Sequence, residues 1–209
     1  MPKNISATLL ADGSSDHAVL LPLLTLLLDE HSSSPFRISS AESLRVGLSL
    51  EQRIPAALAL YPCDLLFVHR DAEALPGEAR KREIDEAVAR MGASTGVRVP
   101  HVCIVPVRMT EAWLLCDEDA LRNAVGNPAG RSALSLPTSA RLERIDAKDA
   151  LFRALEAAAE LGARRTRRFL PQQFRHRVAE SLSSVASLRA LPSFRMFEDE
   201  LRAQLIRLT

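Results

Sequence analysis

The sequence predicts an α/β fold: a mostly parallel sheet flanked by helices, with a helical carboxyl-terminal extension. Three observations predict it. The short runs ISATLLA, DLLFVHR and VPHVCIVPV are almost continuously apolar and bounded by turn residues, the pattern of strands buried on both faces. Segments of helical period lie between them, so strand and helix alternate, as in parallel α/β sheets. Beyond about residue 135 the strand-like runs stop and only helical stretches remain.

ISATLLA is the first strand, and DGSSD after it is a turn followed by helix N-cap chemistry. The helix that follows, DHAVLLPLLTLLLDE, is apolar on nearly every face, as expected when a helix packs on a sheet and is covered again from outside. Pro22 costs least near a helix start, which places that start a little after Asp16. HSSSPFRISS reads as a Ser-rich loop and SLEQRIPAALALYP as a weakly amphipathic helix. DLLFVHR is the second strand. GEARKREIDEAVARMGAST is a helix with alternating charge and a buried stripe of Ile84, Val88 and Met91. VPHVCIVPV is the third strand, and TEAWLLCDEDALRNAVG is one helix with Thr110 as its N-cap.

The Gly-, Pro- and Ser-punctuated stretch NPAGRSALSLPTS then divides the chain into an α/β domain, residues 1–135, and a basic helical extension, residues 136–209. Three helical stretches make up the extension, and the last carries Phe194, Phe197, Leu201 and Leu205 at helical spacing for packing on the main domain. Charge changes sign near the same boundary: residues 1–140 carry a net −4 and residues 141–209 a net +5. An acidic front and a basic back is an asymmetry that calls for a function.

With 209 residues, 47% hydrophobic, the chain is long enough for one sizeable core or a core plus a small appended domain. Its longest apolar run, AVLLPLLTLLL, is about half of what a membrane-crossing helix needs, and MPKNISATLLADGSS lacks the regions of a signal peptide. A cytoplasmic protein without membrane association is expected. Cys63, Cys103 and Cys116 are odd in number, sit in apolar stretches and show no CxxC spacing, so the spacing predicts neither disulfide nor zinc site.

Chemistry is expected where the strands end. In an open parallel sheet, ligands bind at the carboxyl edge, where loops diverge and helix N-termini point inward. The first strand ends in Asp12-Gly13-Ser14-Ser15-Asp16, the second in His69-Arg70-Asp71-Ala72-Glu73, the third in Arg108-Met109-Thr110-Glu111. If the strands are neighbours, Asp12, Asp71, Glu73 and Glu111 converge. Crowded carboxylates repel, and a hard divalent cation such as Mg²⁺ or Mn²⁺ relieves the repulsion. Arg70 or Arg108 would then grip a phosphate oxygen. Asp16 reads as a first-turn carboxylate favoured by the helix dipole, His69 as a structural or supporting residue, and Trp113 as core.

ADGSSD, FVHRDAE and VPVRMTEAWLLCD together, with RRFLPQQFRHRVAE and LRALPSFRMFEDEL further on, resemble a bacterial Toprim-like family of unknown function. That family is distantly similar to OLD-type nucleases; its marks are an EGxTE-like first motif, an acidic pair after a middle strand and an E-A-W-L-L stretch. The resemblance covers most of the chain. It implies a Toprim-like topology in which Asp12 takes the first acidic position and Asp71 with Glu73 the pair that holds Mg²⁺ or Mn²⁺ for phosphodiester chemistry. Asp12 stands where a glutamate is expected and Glu73 where an aspartate is common, which alters the reach of both.

ARRTRRFLPQQFRHR carries Arg164, Arg165, Arg167, Arg168, Arg175 and Arg177 with Phe169 and Phe174 interleaved. Cations at that density suit a nucleic-acid backbone, and equally a solvated helix face with both phenylalanines in the core. The expected function is a metal-dependent nuclease with catalytic acids Asp12, Asp71, Glu73 and Glu111, and the resemblance implies service in a phage-defence module. The competing expectation is a non-catalytic Toprim-like subunit acting with a partner ATPase, which the resemblance also implies. A phosphatase acting on a small substrate is a third reading, weakened by the lack of a nucleophile context.

Overall fold

The computed structural model describes residues 4–208 apart from 43, 45, 46, 73, 74, 108 and 109, so Glu73 and Arg108 lie outside the described residues. Its strands are β1 (Ile5–Leu10), β2 (Phe36–Ser40), β3 (Leu65–His69) and β4 (His101–Ile104). The helices within the α/β part are α1 (Ser14–His31), α2 (Leu50–Leu60), α3 (Gly77–Thr95), α4 (Glu111–Leu114) and α5 (Glu118–Ala124). Beyond them come α6 (Ser139–Leu142), α7 (Ala147–Ala159), α8 (Ala163–Thr166), α9 (Arg175–Ser181) and α10 (Pro192–Leu208).

All strand pairings are parallel, in the order β2-β1-β3-β4. From β1 the chain moves first to one side, to β2, and then back to the other, to β3. The carboxyl ends of β1 and β3 therefore flank the point where the winding reverses, the position at which such sheets leave a crevice.

Each strand divides its side chains between two cores with the two-residue period of extended chain. Ile5, Ala7 and Leu9 of β1, Leu65 and Phe67 of β3, and Val102 and Ile104 of β4 face one layer, built by α1, α4, α5, α7, α9 and α10. Leu10, Leu66, Val68 and Cys103 face the other, built by α2 and α3 with Ile54, Ile84, Val88 and Met91. The helices after residue 135 thus form much of one covering layer, in the same apolar cluster as the strands. Trp113 fixes this joint. Its ring meets Phe194 edge-on at 5.1 Å and stacks on Phe197 at 5.8 Å, while its Nε1 donates to Ser193 Oγ at 3.3 Å. Helix α10 also covers β4, the outer strand: Glu200 Oε1 accepts from the Cys103 amide at 3.2 Å, satisfying a donor that a bare edge would leave open.

The sequence-based expectation differs from the structure at three places. A fourth strand, β2, lies in the stretch read as a Ser-rich loop; it pairs from Ile5 opposite Phe36 to Leu9 opposite Ser40. FRISS occupies the sheet edge and is only half-buried, so it shows no continuous apolar run to mark it. The single helix expected from Thr110 is two short helices, because Asp117 accepts from the Ala120 amide at 2.9 Å and starts a new one. Helix α1 starts at Ser14 and not after Asp16, which puts Pro22 in its interior. The lost backbone bond there is offset by seven buried residues along the helix, five of them leucine.

Candidate active site at the carboxyl edge of the sheet

Asp12 follows β1 and lies among guanidinium groups. Its Oδ1 pairs with Arg53 Nη1 of α2 at 3.3 Å and its Oδ2 with Arg70 Nε at 3.0 Å. Arg53 also donates to the Ala11 carbonyl. The network continues from Arg70 to Glu83 of α3 at 2.7 Å, and from Glu83 to Arg80, whose Nε reaches the Asp71 carbonyl at 3.2 Å. Alternating charges therefore cross the edge from α2 to α3, and Asp12 and Arg70 serve as links in that chain.

A second group of acids is more deeply buried. Asp16, in the first turn of α1, turns back so that its Oδ2 accepts from the Gly13 amide at 3.1 Å. Asp71 follows β3, with its Oδ1 3.3 Å from His69 Nε2 and 3.5 Å from Thr110 Oγ1; that hydroxyl is in turn 3.1 Å from His69 Nε2. Glu111 opens α4 and is buried. Arg175, the first residue of α9, enters between them: its Nη2 lies 2.8 Å from Glu111 Oε1 and 3.7 Å from Asp16 Oδ1. Elements from both parts of the chain build this one cluster.

Burial dominates its electrostatics. The Asp16 carboxyl is raised above the ordinary range chiefly by desolvation, with the like charge of Asp71 adding to the rise and His69 and Arg175 opposing it. Glu111 is likewise raised, first by desolvation, then by Asp71 and Asp16, against the pull of Arg175. Two carboxyls that mutually disfavour ionisation in a desolvated crevice are held in check by one guanidinium. The Arg175 Nε and the His69 Nδ1 are buried without a hydrogen-bond partner among the described residues. Beside the cluster, His17 is locked as a neutral ring. Its Nε2 accepts from the Ala11 amide at 3.2 Å, so the ring proton sits on Nδ1 and is donated to Ser40 Oγ at 2.8 Å. Burial, with Arg53 and His69 adding, lowers its pKa to about 4.

Of the acids expected to act, Asp71 and Glu111 face this cluster, Asp12 is held by Arg53 and Arg70, and Glu73 lies outside the described residues. Asp16 joins the cluster, although its sequence position suggests only a dipole role. The signal for it was present: the EGxTE-like motif ends in a second acid, which falls on Asp16. Among Asp12, Asp16, Asp71 and Glu111, no three offer oxygens that all lie within 4.8 Å of one another. Arg164, Arg165, Arg167 and Arg168 are exposed on and just after α8, with no acid paired to them among the described residues. Arg177 is exposed, 5.4 Å from the Phe174 ring centroid; Phe174 stacks on Phe169 at 4.9 Å, and both phenylalanines pack against the core.

Oxygen-only donors suit a hard cation such as Mg²⁺ or Mn²⁺. With no three of the described carboxylates closing on one point, the set fits an ion that keeps most of its waters and takes one or two protein ligands. No described helix is long and apolar enough to cross a membrane. No family model matches the chain, and comparison with curated proteins and with solved structures gives no match.

Proposed function

We propose that this protein is a metal-dependent nuclease whose centre is the acid cluster at the point where the sheet reverses its winding. The observation that carries the proposal is the meeting of Asp16 and Glu111 at the Arg175 guanidinium, with Asp71 close enough to raise both carboxyls. A crevice that raises its own carboxyls by desolvation and like charge is built to receive positive charge. Asp71 and Asp16 would hold Mg²⁺ or Mn²⁺, which when bound would supply an activated water and stabilise charge on the leaving oxygen.

This chain's own residues do the rest. His69 and Thr110 fix the orientation of the Asp71 carboxylate. Arg175, between Glu111 and Asp16, is placed to transfer its grip from a carboxylate to a phosphate oxygen. Arg168 precedes Arg175 by few enough residues that its backbone lies within roughly 25 Å of Arg175 even if fully extended. Arg164, Arg165, Arg167 and Arg168 can therefore track a nucleic-acid backbone that ends in the crevice, a sequence-independent grip. The Toprim-like topology and service in a phage-defence module rest on the sequence resemblance.

A second reading is a non-catalytic subunit that binds nucleic acid and acts with a partner ATPase. It is favoured by Asp12, whose two oxygens are both taken by arginines. The test incubates the full chain and Asp71→Asn with supercoiled DNA, linear DNA and RNA, in Mg²⁺, Mn²⁺ or chelator. Metal-dependent strand scission by the parent chain and none by the variant supports the nuclease. Retained binding without scission under any metal replaces it with the subunit reading.

A further inference from the structure

We propose a second cation site, separate from the carboxylate edge, in which Asp85, His101 and Cys103 bind Zn²⁺ or a similar borderline metal ion. These three side chains each present one donor atom, and the three atoms lie within 4.8 Å of one another. His101 Nε2 is 2.8 Å from Asp85 Oδ1, and Cys103 Sγ is 3.6 Å from the same oxygen. His101 and Cys103 are two apart on β4, so the pleat turns both to one face, toward α3, where Asp85 stands. No spacing motif announces this set, because one ligand comes from a helix and two from a strand.

Nitrogen, sulfur and oxygen together are the donor mix of a tetrahedral zinc site, and three protein ligands are the number used when the fourth position stays open. Zinc–ligand bonds of the usual lengths place donors roughly 3.3–3.8 Å apart. The Sγ–Oδ1 separation already fits, and the histidine–aspartate hydrogen bond has to open only by about half an ångström. The charge balance favours a cation. Asp85 and Glu200 both lie near the Cys103 thiol and are opposed there by Lys81, which Glu200 binds at 2.6 Å. Burial holds that thiol protonated in the free protein, so the ion displaces its proton to solvent. Outside Asp85 and His101 lies a cleft of about 400 Å³, walled by Val88, Gly92, Val97 and Arg98, which gives the ion an approach and room for a water or an exogenous fourth ligand.

The test uses the full-length chain, stripped of metal with chelator and desalted, titrated with Co²⁺ and then with competing Zn²⁺. One equivalent of Co²⁺ should produce a near-ultraviolet thiolate-to-cobalt charge-transfer band with tetrahedral visible bands, and Zn²⁺ should abolish both. Cys103→Ser should remove the charge-transfer band. Asp85→Asn, at a half-exposed helix position that leaves the core untouched, should weaken Co²⁺ binding by at least about tenfold. The proposal is overturned if no such band appears, or if the band survives both substitutions and so belongs to Cys63 or Cys116. Carboxylates alone give no thiolate band, so the readout is independent of whether the protein is a nuclease.

Discussion

Replacing Arg175 by methionine keeps the apolar stem and removes the one positive charge inserted between Glu111 and Asp16. At 2.8 Å and 3.7 Å, and with an effective dielectric of roughly 20, the full-charge attractions are about 6 and about 4–5 kcal/mol. Most of that is offset by the cost of desolvating the guanidinium and the two acids, whose carboxyls burial already raises. The expected net loss of stability is about 2–3 kcal/mol at pH 7.5. In the variant both carboxyls rise further, so the folded state binds more protons than the unfolded chain above about pH 4, where free carboxyls titrate. The variant therefore loses stability as pH rises through that window and regains it as pH falls. As pH falls the raised carboxyls take up protons and the parent's guanidinium loses partner charge, so the gap should be smaller at pH 4.5 than at pH 7.5. Urea denaturation of both proteins at pH 7.5 and 4.5 measures this directly. Equal losses at the two pH values, or none at pH 7.5, would show that Arg175 does not balance the buried acids.

Other outcomes are accessible to simple measurements. His17, with a pKa lowered to about 4 from the usual 6.5, should make the parent lose up to about 3 kcal/mol of stability as pH falls from 6.5 to 4; in His17→Gln, denaturant melts should show a flatter profile across that range. Arg167→Ala with Arg168→Ala should weaken nucleic-acid binding in a filter assay and reduce the salt slope by roughly 2, with thermal stability unchanged; an unaltered slope would return both to the solvated surface. Trp113→Ala should cost about 3–5 kcal/mol in urea, since it empties the joint between α4 and α10. A fragment ending at residue 135 should lose cooperative thermal unfolding, because the helices that cover the faces of α1 and β4 are gone.

The resemblance to EGxTE and E-A-W-L-L motifs carried the reading of the site only part of the way. It pointed to Asp71, which lies near Asp16 and Glu111 at the carboxyl edge of the sheet. It also put weight on Asp12, which two arginines from other parts of the chain, Arg53 and Arg70, now hold. Neither partner is adjacent to Asp12 in sequence, so no local pattern could announce the network. Asp16 sits in a helix's first turn, where an acid is too common for its position alone to mark it as functional. Arg175 sat within a run of arginines, and nothing in that run distinguished the one that faces inward.

By itself the sequence determined the alternation of β1, β3 and β4 with their helices, because buried parallel strands need continuous apolar residues and turns need Gly, Ser and Asp. It determined the buried stripes of α3 and α10, since helical period is a local property. Only the tertiary structure decided that FRISS pairs as an edge strand, that the basic extension supplies a covering layer of the main core, and that Arg175 joins Glu111 and Asp16 while Asp12 joins Arg53 and Arg70. Those are contacts between residues far apart in the chain. Their free energy depends on distance and desolvation after folding, and neither quantity is written in residue type or spacing.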